Sequence, residues 1–204
     1  MHPRTLELIS FTSGPINAPS PGACNGDPNR ALRTTESGLS VCRYYLKESI
    51  VKDYYGESNV ISVNNILHGS VYHALPTFQT ITESSGGLLK TKTFYSRDYN
   101  TAIVYSNEAK GLKQLANLNK LLPIESLLIR TINGIDHVIK GSLMTFKEDR
   151  ALADTAYSLS IIAPVPLSSF VKSYINNNGV FVKDLRYKAD LNFSVYDAYG
   201  NVIE

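Results

Sequence analysis

Alternation of apolar and polar positions runs through most of the chain and predicts strands more often than helices. The clearest case extends from Ser126 to Phe146, where two β-rich runs flank Asn133-Gly134. This dipeptide suits a type I′ turn, whose twist matches that of paired strands, so we expect a β-hairpin here. A second hairpin is predicted over 82–94, with its turn at 85–87. Period-two runs predict further strands over residues 5–11, 59–67, 70–81, 99–106, 156–164 and 188–200.

Apolar positions at three- and four-residue steps predict helices in other parts of the chain. The predicted helices cover residues 39–55, 107–122 and 168–178. Ser37 is the expected cap of the first helix and Asn107 that of the second. Gly111 counts against the second helix, because glycine is unfavourable in a helix interior.

Strands outnumber helices, and short turns join most neighbours, which is typical of antiparallel pairing. We therefore expect an α+β fold with a predominantly antiparallel sheet, sandwich-like or single, two to three helices and an extended N-terminal arm. Residues 1–38 are predicted to form an N-terminal strand and the arm, and residues 39–204 a single α+β domain.

The arm is predicted from the prolines and glycines between residues 12 and 38. Each proline removes a backbone donor and restricts the residue before it, so neither a helix nor a central strand persists. A structureless connection of this length is uncommon inside a compact domain, and we interpret it as a segment that lies on neighbouring subunits. The predicted contact residues of this interaction arm are Pro15, Ile16, Pro19, Pro21, Cys24 and Pro28.

Composition narrows the class of protein further. A hydrophobic fraction of 43% is ordinary for a soluble protein, and a net charge of +2 gives no dense basic field for nucleic acid. The first residues lack the basic and apolar regions of a signal peptide, and no apolar run is long enough to span a bilayer. The sequence thus predicts a cytoplasmic or virion protein that is not exported by a signal peptide and has no membrane partner.

Candidate chemistry is sparse, and we expect no catalytic residue, no metal and no cofactor. His68 and His73 lie five residues apart, which places them on opposite faces of a strand, and His137 belongs to the Asn-Gly hairpin. Cys24 lies in a glycine-rich stretch, which leaves a Cys/His hydrolase as a third-ranked alternative. Glu125 is one of several scattered carboxylates that could be paired for glycoside hydrolysis.

One stretch interleaves cations with aromatic rings and predicts a nucleic-acid face. Lys90, Lys92 and Phe94 share one side of a regular strand. Cations and aromatic rings on one sheet face can hold phosphates and stack bases, although lysine on an outer strand also prevents aggregation. The residues of this candidate face are Lys90, Lys92, Phe94, Tyr95, Arg97 and Tyr99.

The arm, the tyrosine-rich β domain and the lack of a catalytic motif together favour a non-enzymatic subunit of a larger assembly. We expect protein partners, with the chain as a homo-oligomer inside that assembly; a neck, ring or tail component of a phage virion is one example. A single-stranded nucleic-acid- or carbohydrate-binding β module is the alternative.

Overall fold

The structure, a computed structural model, describes the backbone of residues 5–14, 43–55, 58–82 and 87–203. Side chains are described for residues 46–51, 61–82 and 87–203. The chain divides into two compact units, Met1–Gly86 and Gly87–Glu204. The arm residues Pro15, Ile16, Pro19, Pro21, Cys24 and Pro28 lie outside the described residues, so the arm and the boundary at residue 38 stay predictions.

The first unit contains four described strands that pair antiparallel in chain order. They are β1 (Thr5–Gly14), β2 (Arg43–Tyr55), β3 (Ser58–Leu67) and β4 (Phe78–Thr82). Ile50 of β2 lies opposite Val63 of β3, and Ile66 of β3 lies opposite Gln79 of β4. The prediction of an N-terminal strand is confirmed, and the strand continues to Gly14, three residues into the predicted arm.

The second unit contains six antiparallel strands of one sheet and one described α-helix. Its elements are β5 (Leu88–Tyr95), α1 (Asn107–Asn117), β6 (Pro123–Ile132), β7 (Ile135–Phe146), β8 (Ala153–Leu159), β9 (Val165–Pro166), β10 (Tyr174–Ile175), β11 (Phe181–Val182) and β12 (Tyr187–Asn192). The strand order is β5-β6-β7-β8-β12, with β9 paired to β7 and with β10 and β11 forming a separate short hairpin. Single 3-10 turns occupy Ser96–Asp98 and Leu167–Ser169.

Residues from the helix and the central strands form the core of the second unit. Leu112 and Leu115 of α1 are buried together with Leu127 of β6 and Val138 of β7. The helix approaches β7 closely, because a side-chain carbon at Gly111 would lie 2.0 Å from the Phe146 carbonyl oxygen. Glycine at this position is therefore a packing requirement.

The coarse fold prediction is confirmed, since the described chain is mostly antiparallel sheet. The Asn-Gly hairpin forms as expected, with Asn133 at φ 50° and Gly134 at φ 78° between β6 and β7. The helix predicted at 107–122 is present as α1, although Ser106 is its cap and not Asn107. Within the described residues, no helical segment is both long and apolar enough to pass through a bilayer.

Two predicted helices are wrong. Residues 43–55 form strand β2, because the four-residue spacing of Leu46 and Ile50 also places positions on one side of a strand. Residues 170–173 do not form a helix, and Glu125 accepts from the Ser173 N–H, a donor that the predicted helix would use internally. The Val171 N–H donates to Asp184 Oδ2 at 2.8 Å and the Ser173 N–H to Glu125 Oε2 at 2.9 Å.

Three predicted strands differ from the structure. Of residues 70–81, only 78–81 are in a strand, and Pro76 lies in the loop before it. Residues 99–106 are irregular, because the N–H groups of Tyr105 and Ser106 donate to the Gly179 carbonyl oxygen and not to a neighbouring strand. β12 does not alternate as predicted, since a register shift falls between Ala189 and Leu191 and both are exposed.

Candidate functional site

A carboxylate lies at the centre of the second unit, where an apolar side chain would be expected. Glu125 of β6 has 0% of its surface exposed and lies on the same side of the strand as the buried Leu127 and Ile129. Strand pairing aligns it with Phe94 of β5 on one side and Leu143 of β7 on the other. Because a buried carboxylate is costly unless it accepts hydrogen bonds, its partners determine how this face is built.

Three donors converge on Glu125. Oε2 accepts from the Ser173 N–H at 2.9 Å and from the Ser173 hydroxyl at 2.6 Å, and Oε1 accepts from the Tyr187 hydroxyl at 2.9 Å. Tyr187 reaches it over Gly141, where a side-chain carbon would lie 2.8 Å from the tyrosine oxygen. We call Tyr99, Glu125, Ser173 and Tyr187 the Glu125 network.

Tyr99 extends the network towards β5. Its hydroxyl lies 2.7 Å from the Ser173 hydroxyl, which already donates its proton to Glu125, so Tyr99 is the donor in this pair. The same serine is fully buried, so the segment that carries it is fixed across the sheet face by Glu125. The network therefore joins the strands of the sheet to the segment between β9 and β10.

Burial also controls the ionisation of the network. Desolvation raises the pKa of Glu125 and outweighs the hydrogen bonds from Ser173 and Tyr187, which lower it. Burial, together with the charge of Glu125, raises the pKa of both Tyr99 and Tyr187. Since Glu125 has no exposed surface, this arrangement is suited to holding the fold together and not to attacking a substrate.

The solvent-facing part of the site is a pair of lysines on one aromatic ring. Lys172 Nζ lies 4.3 Å from the centre of the Phe94 ring, and Lys92 Nζ lies 5.2 Å from the same centre. Lys172 also lies 5.8 Å from the centre of the Tyr99 ring. We call Lys92, Phe94 and Lys172 the lysine clamp. Desolvation and the charge of Lys92 lower the pKa of Lys172, and Glu125 and Asp98 oppose this shift.

The structure places the six residues of the predicted nucleic-acid face in different settings. Lys90 donates to Asp136 at 2.7 Å, and Arg97 donates to Asn119. Tyr99 is buried in the Glu125 network. Lys92 and Phe94 meet in the lysine clamp, whereas Tyr95 is part-buried and its N–H donates to the Asp98 carboxylate. Lys92 and Phe94 thus combine with Lys172, which the sequence did not indicate.

The three histidines that the structure describes, His68, His73 and His137, lie within hydrogen-bond distance of backbone groups. Both ring nitrogens of His68 face backbone carbonyl oxygens, that of Ala74 at 2.8 Å and that of Leu46 at 3.2 Å. His73 accepts from the Leu75 N–H at 3.2 Å, and His137 lies 2.9 Å from the Ile135 carbonyl oxygen. Among the residues with a described placement, no three histidine, cysteine or acidic side chains are grouped as metal ligands.

No local sequence pattern indicates Lys172, Ser173 or Tyr187. They lie about 50 or more positions from Glu125 and come close to it only in the folded chain. One signal was present at Glu125 itself. It occupies the same alternating positions as Leu127 and Ile129, and a carboxylate in phase with an apolar strand face indicates a buried polar site.

Comparison of the chain with protein-family models, curated proteins and solved structures found no match.

The pKa of Glu125 leads to a pH prediction. Because the folded pKa is above the usual value of about 4.3, the folded state holds this proton more tightly than the unfolded chain does. The stability that the proton contributes is complete below that usual value and is lost as pH rises through the raised pKa. Urea unfolding from pH 4 to 7 should show the free energy of unfolding of the native protein falling relative to that of Glu125→Gln.

Other carboxylates are shared by the two proteins and cancel in this difference. A difference that stays constant across the range, or that increases with pH, would contradict the assignment.

Proposed function

We propose that this protein is a non-enzymatic structural or assembly subunit that forms a homo-oligomer within a larger complex. A neck, ring or tail component of a phage virion is one such setting. The interaction arm remains part of this proposal as a contact to neighbouring subunits. The described residues add a second contact surface, at the end of the chain.

The observation that carries the proposal is the exposure of large apolar side chains along the last strand and the residues after it. Leu191 of β12 is 60% exposed and Tyr199 is 93% exposed. We call β12 and residues 193–203 the C-terminal edge. Its exposed large apolar residues are Leu191, Val195, Tyr199, Val202 and Ile203.

The position of this surface supports an interface. Among the described strands, β12 pairs with β8 only and ends the strand order of the second unit, so its other backbone side has no described partner strand. An exposed edge that also carries apolar side chains is a site for pairing with another chain. The second copy of this chain is the occupant we infer, because an assembly of identical subunits presents such an edge in every copy.

Lysine at position 191 tests this surface. Leu191→Lys should weaken self-association about tenfold in Kd, because it places a charge within the proposed contact. Ile135→Lys is the matched control, since Ile135 is 58% exposed but lies at the tip of the Asn-Gly hairpin. Sedimentation velocity at several concentrations gives the Kd of self-association for both variants.

The control should associate as the native protein does. Equal association of Leu191→Lys and the native chain, with both fully folded, would exclude the C-terminal edge as the contact.

A further inference from the structure

The lysine clamp concentrates positive charge at one point of the surface. Two ammonium groups lie against one phenylalanine ring, so they are separated by no more than the sum of their distances to its centre. Both Lys92 and Lys172 are exposed. Within the described part of the chain, neither lies within salt-bridge distance of a carboxylate, and Glu125 behind them is sealed from solvent.

Several other cations of the second unit pair with carboxylates. Lys90 pairs with Asp136 at 2.7 Å, Lys147 with Asp154 at 3.8 Å and Arg186 with Asp184 at 2.9 Å. A nucleic-acid strand presents a phosphate at every nucleotide and needs a continuous basic track, whereas the clamp supplies two ammonium groups at one ring.

The backbone that carries the clamp is held by strand pairing and by hydrogen bonds. Phe94 lies beside Glu125 across the β5–β6 pair, and Lys172 directly precedes Ser173, which Glu125 holds by two hydrogen bonds. Lys92 and Phe94 are two positions apart on β5 and so face the same side of that strand. The charge of Lys92 acts on Lys172, and an anion that contacts both ammonium groups offsets this repulsion.

We propose that the lysine clamp binds an acidic side chain of a partner subunit, with Lys92 and Lys172 sharing one carboxylate. The inference rests on the proposed assembly function for the identity of the partner. A carboxylate matches the site because it brings one negative charge and two acceptor oxygens, one for each ammonium group. The apolar ring that both lysines contact favours a peptide over a free ion, since a side chain also offers methylene groups to Phe94.

The test uses fluorescein-labelled hexaglutamate and labelled hexathymidylate, with the full chain at low salt and anisotropy as the readout. The native protein should bind hexaglutamate, and the Lys92→Gln/Lys172→Gln variant should bind it at least tenfold more weakly. Lys113→Gln/Lys188→Gln is the control with the same change of net charge at exposed positions. It should bind within about twofold of the native protein.

A Lys92→Arg/Lys172→Arg variant keeps both charges and should retain binding, which separates the loss of charge from misfolding. The proposal is overturned by three outcomes: no binding of hexaglutamate to the native chain, equal loss in the control variant, or tighter lysine-dependent binding of hexathymidylate, which would assign the clamp to nucleic acid. Sedimentation is measured separately, so a monomeric chain would refute the assembly function without deciding the anion result.

Discussion

Replacing Glu125 with leucine should lower the free energy of unfolding of the second unit by roughly 3 kcal/mol. The change removes the acceptor for the Ser173 N–H, the Ser173 hydroxyl and the Tyr187 hydroxyl, all of which are buried. A buried donor without a partner costs about 1–3 kcal/mol. The serine hydroxyl can turn towards Tyr99, so the total is smaller than three full penalties. Urea unfolding followed by tyrosine fluorescence measures the effect.

Two variants make this result specific. Glu125→Gln keeps one acceptor oxygen and offers an amide that can donate to Tyr187, so its loss should be about 1 kcal/mol. Glu148→Leu removes a surface carboxylate that pairs with Lys110 at 3.0 Å, and it should cost no more than about 1 kcal/mol. A Glu125→Leu protein as stable as Glu148→Leu would show that the network does not hold the face together.

Alanine at Gly111 should destabilise the second unit by about 2 kcal/mol, although alanine is the better helix former. The new carbon would lie 2.0 Å from the Phe146 carbonyl oxygen, so α1 would have to move away from β7. This displacement separates Leu112 and Leu115 from the core they fill. Thermal or urea unfolding gives the change in free energy.

Lys113→Ala, on the exposed side of the same helix, is the control and should change stability by no more than about 0.5 kcal/mol. If Gly111→Ala were more stable than the native protein, the close approach of helix and strand would be wrong.

Local chemistry was sufficient to predict some elements. The Asn133-Gly134 turn fixes its hairpin through the positive φ angles of these two residues. In α1, the three- and four-residue spacing of apolar positions predicts a helix, and the tertiary contacts of those positions also favour a helix. The first predicted helix failed because a spacing of four residues is shared by helix and strand. The third failed because Glu125, 48 positions away in the sequence, accepts from the Ser173 N–H, which the predicted helix would bond internally.

The candidate site was only partly predictable for the same reason. Lys92 and Phe94 are adjacent on one strand face, so periodicity brings them together. Lys172 joins them only because the buried Glu125 fixes Ser173 across the sheet, and no local pattern encodes a contact over 48 positions. Contacts of carboxylates over long sequence distances thus determine the conformation of residues 170–173 and the position of the Lys172 ammonium group.

Sedimentation equilibrium of the native chain over a hundredfold range of concentration tests the assembly proposal most directly. We expect a mass above that of the 22.5 kDa chain, increasing with concentration as copies associate. One species with the mass of a single chain at every concentration would contradict it.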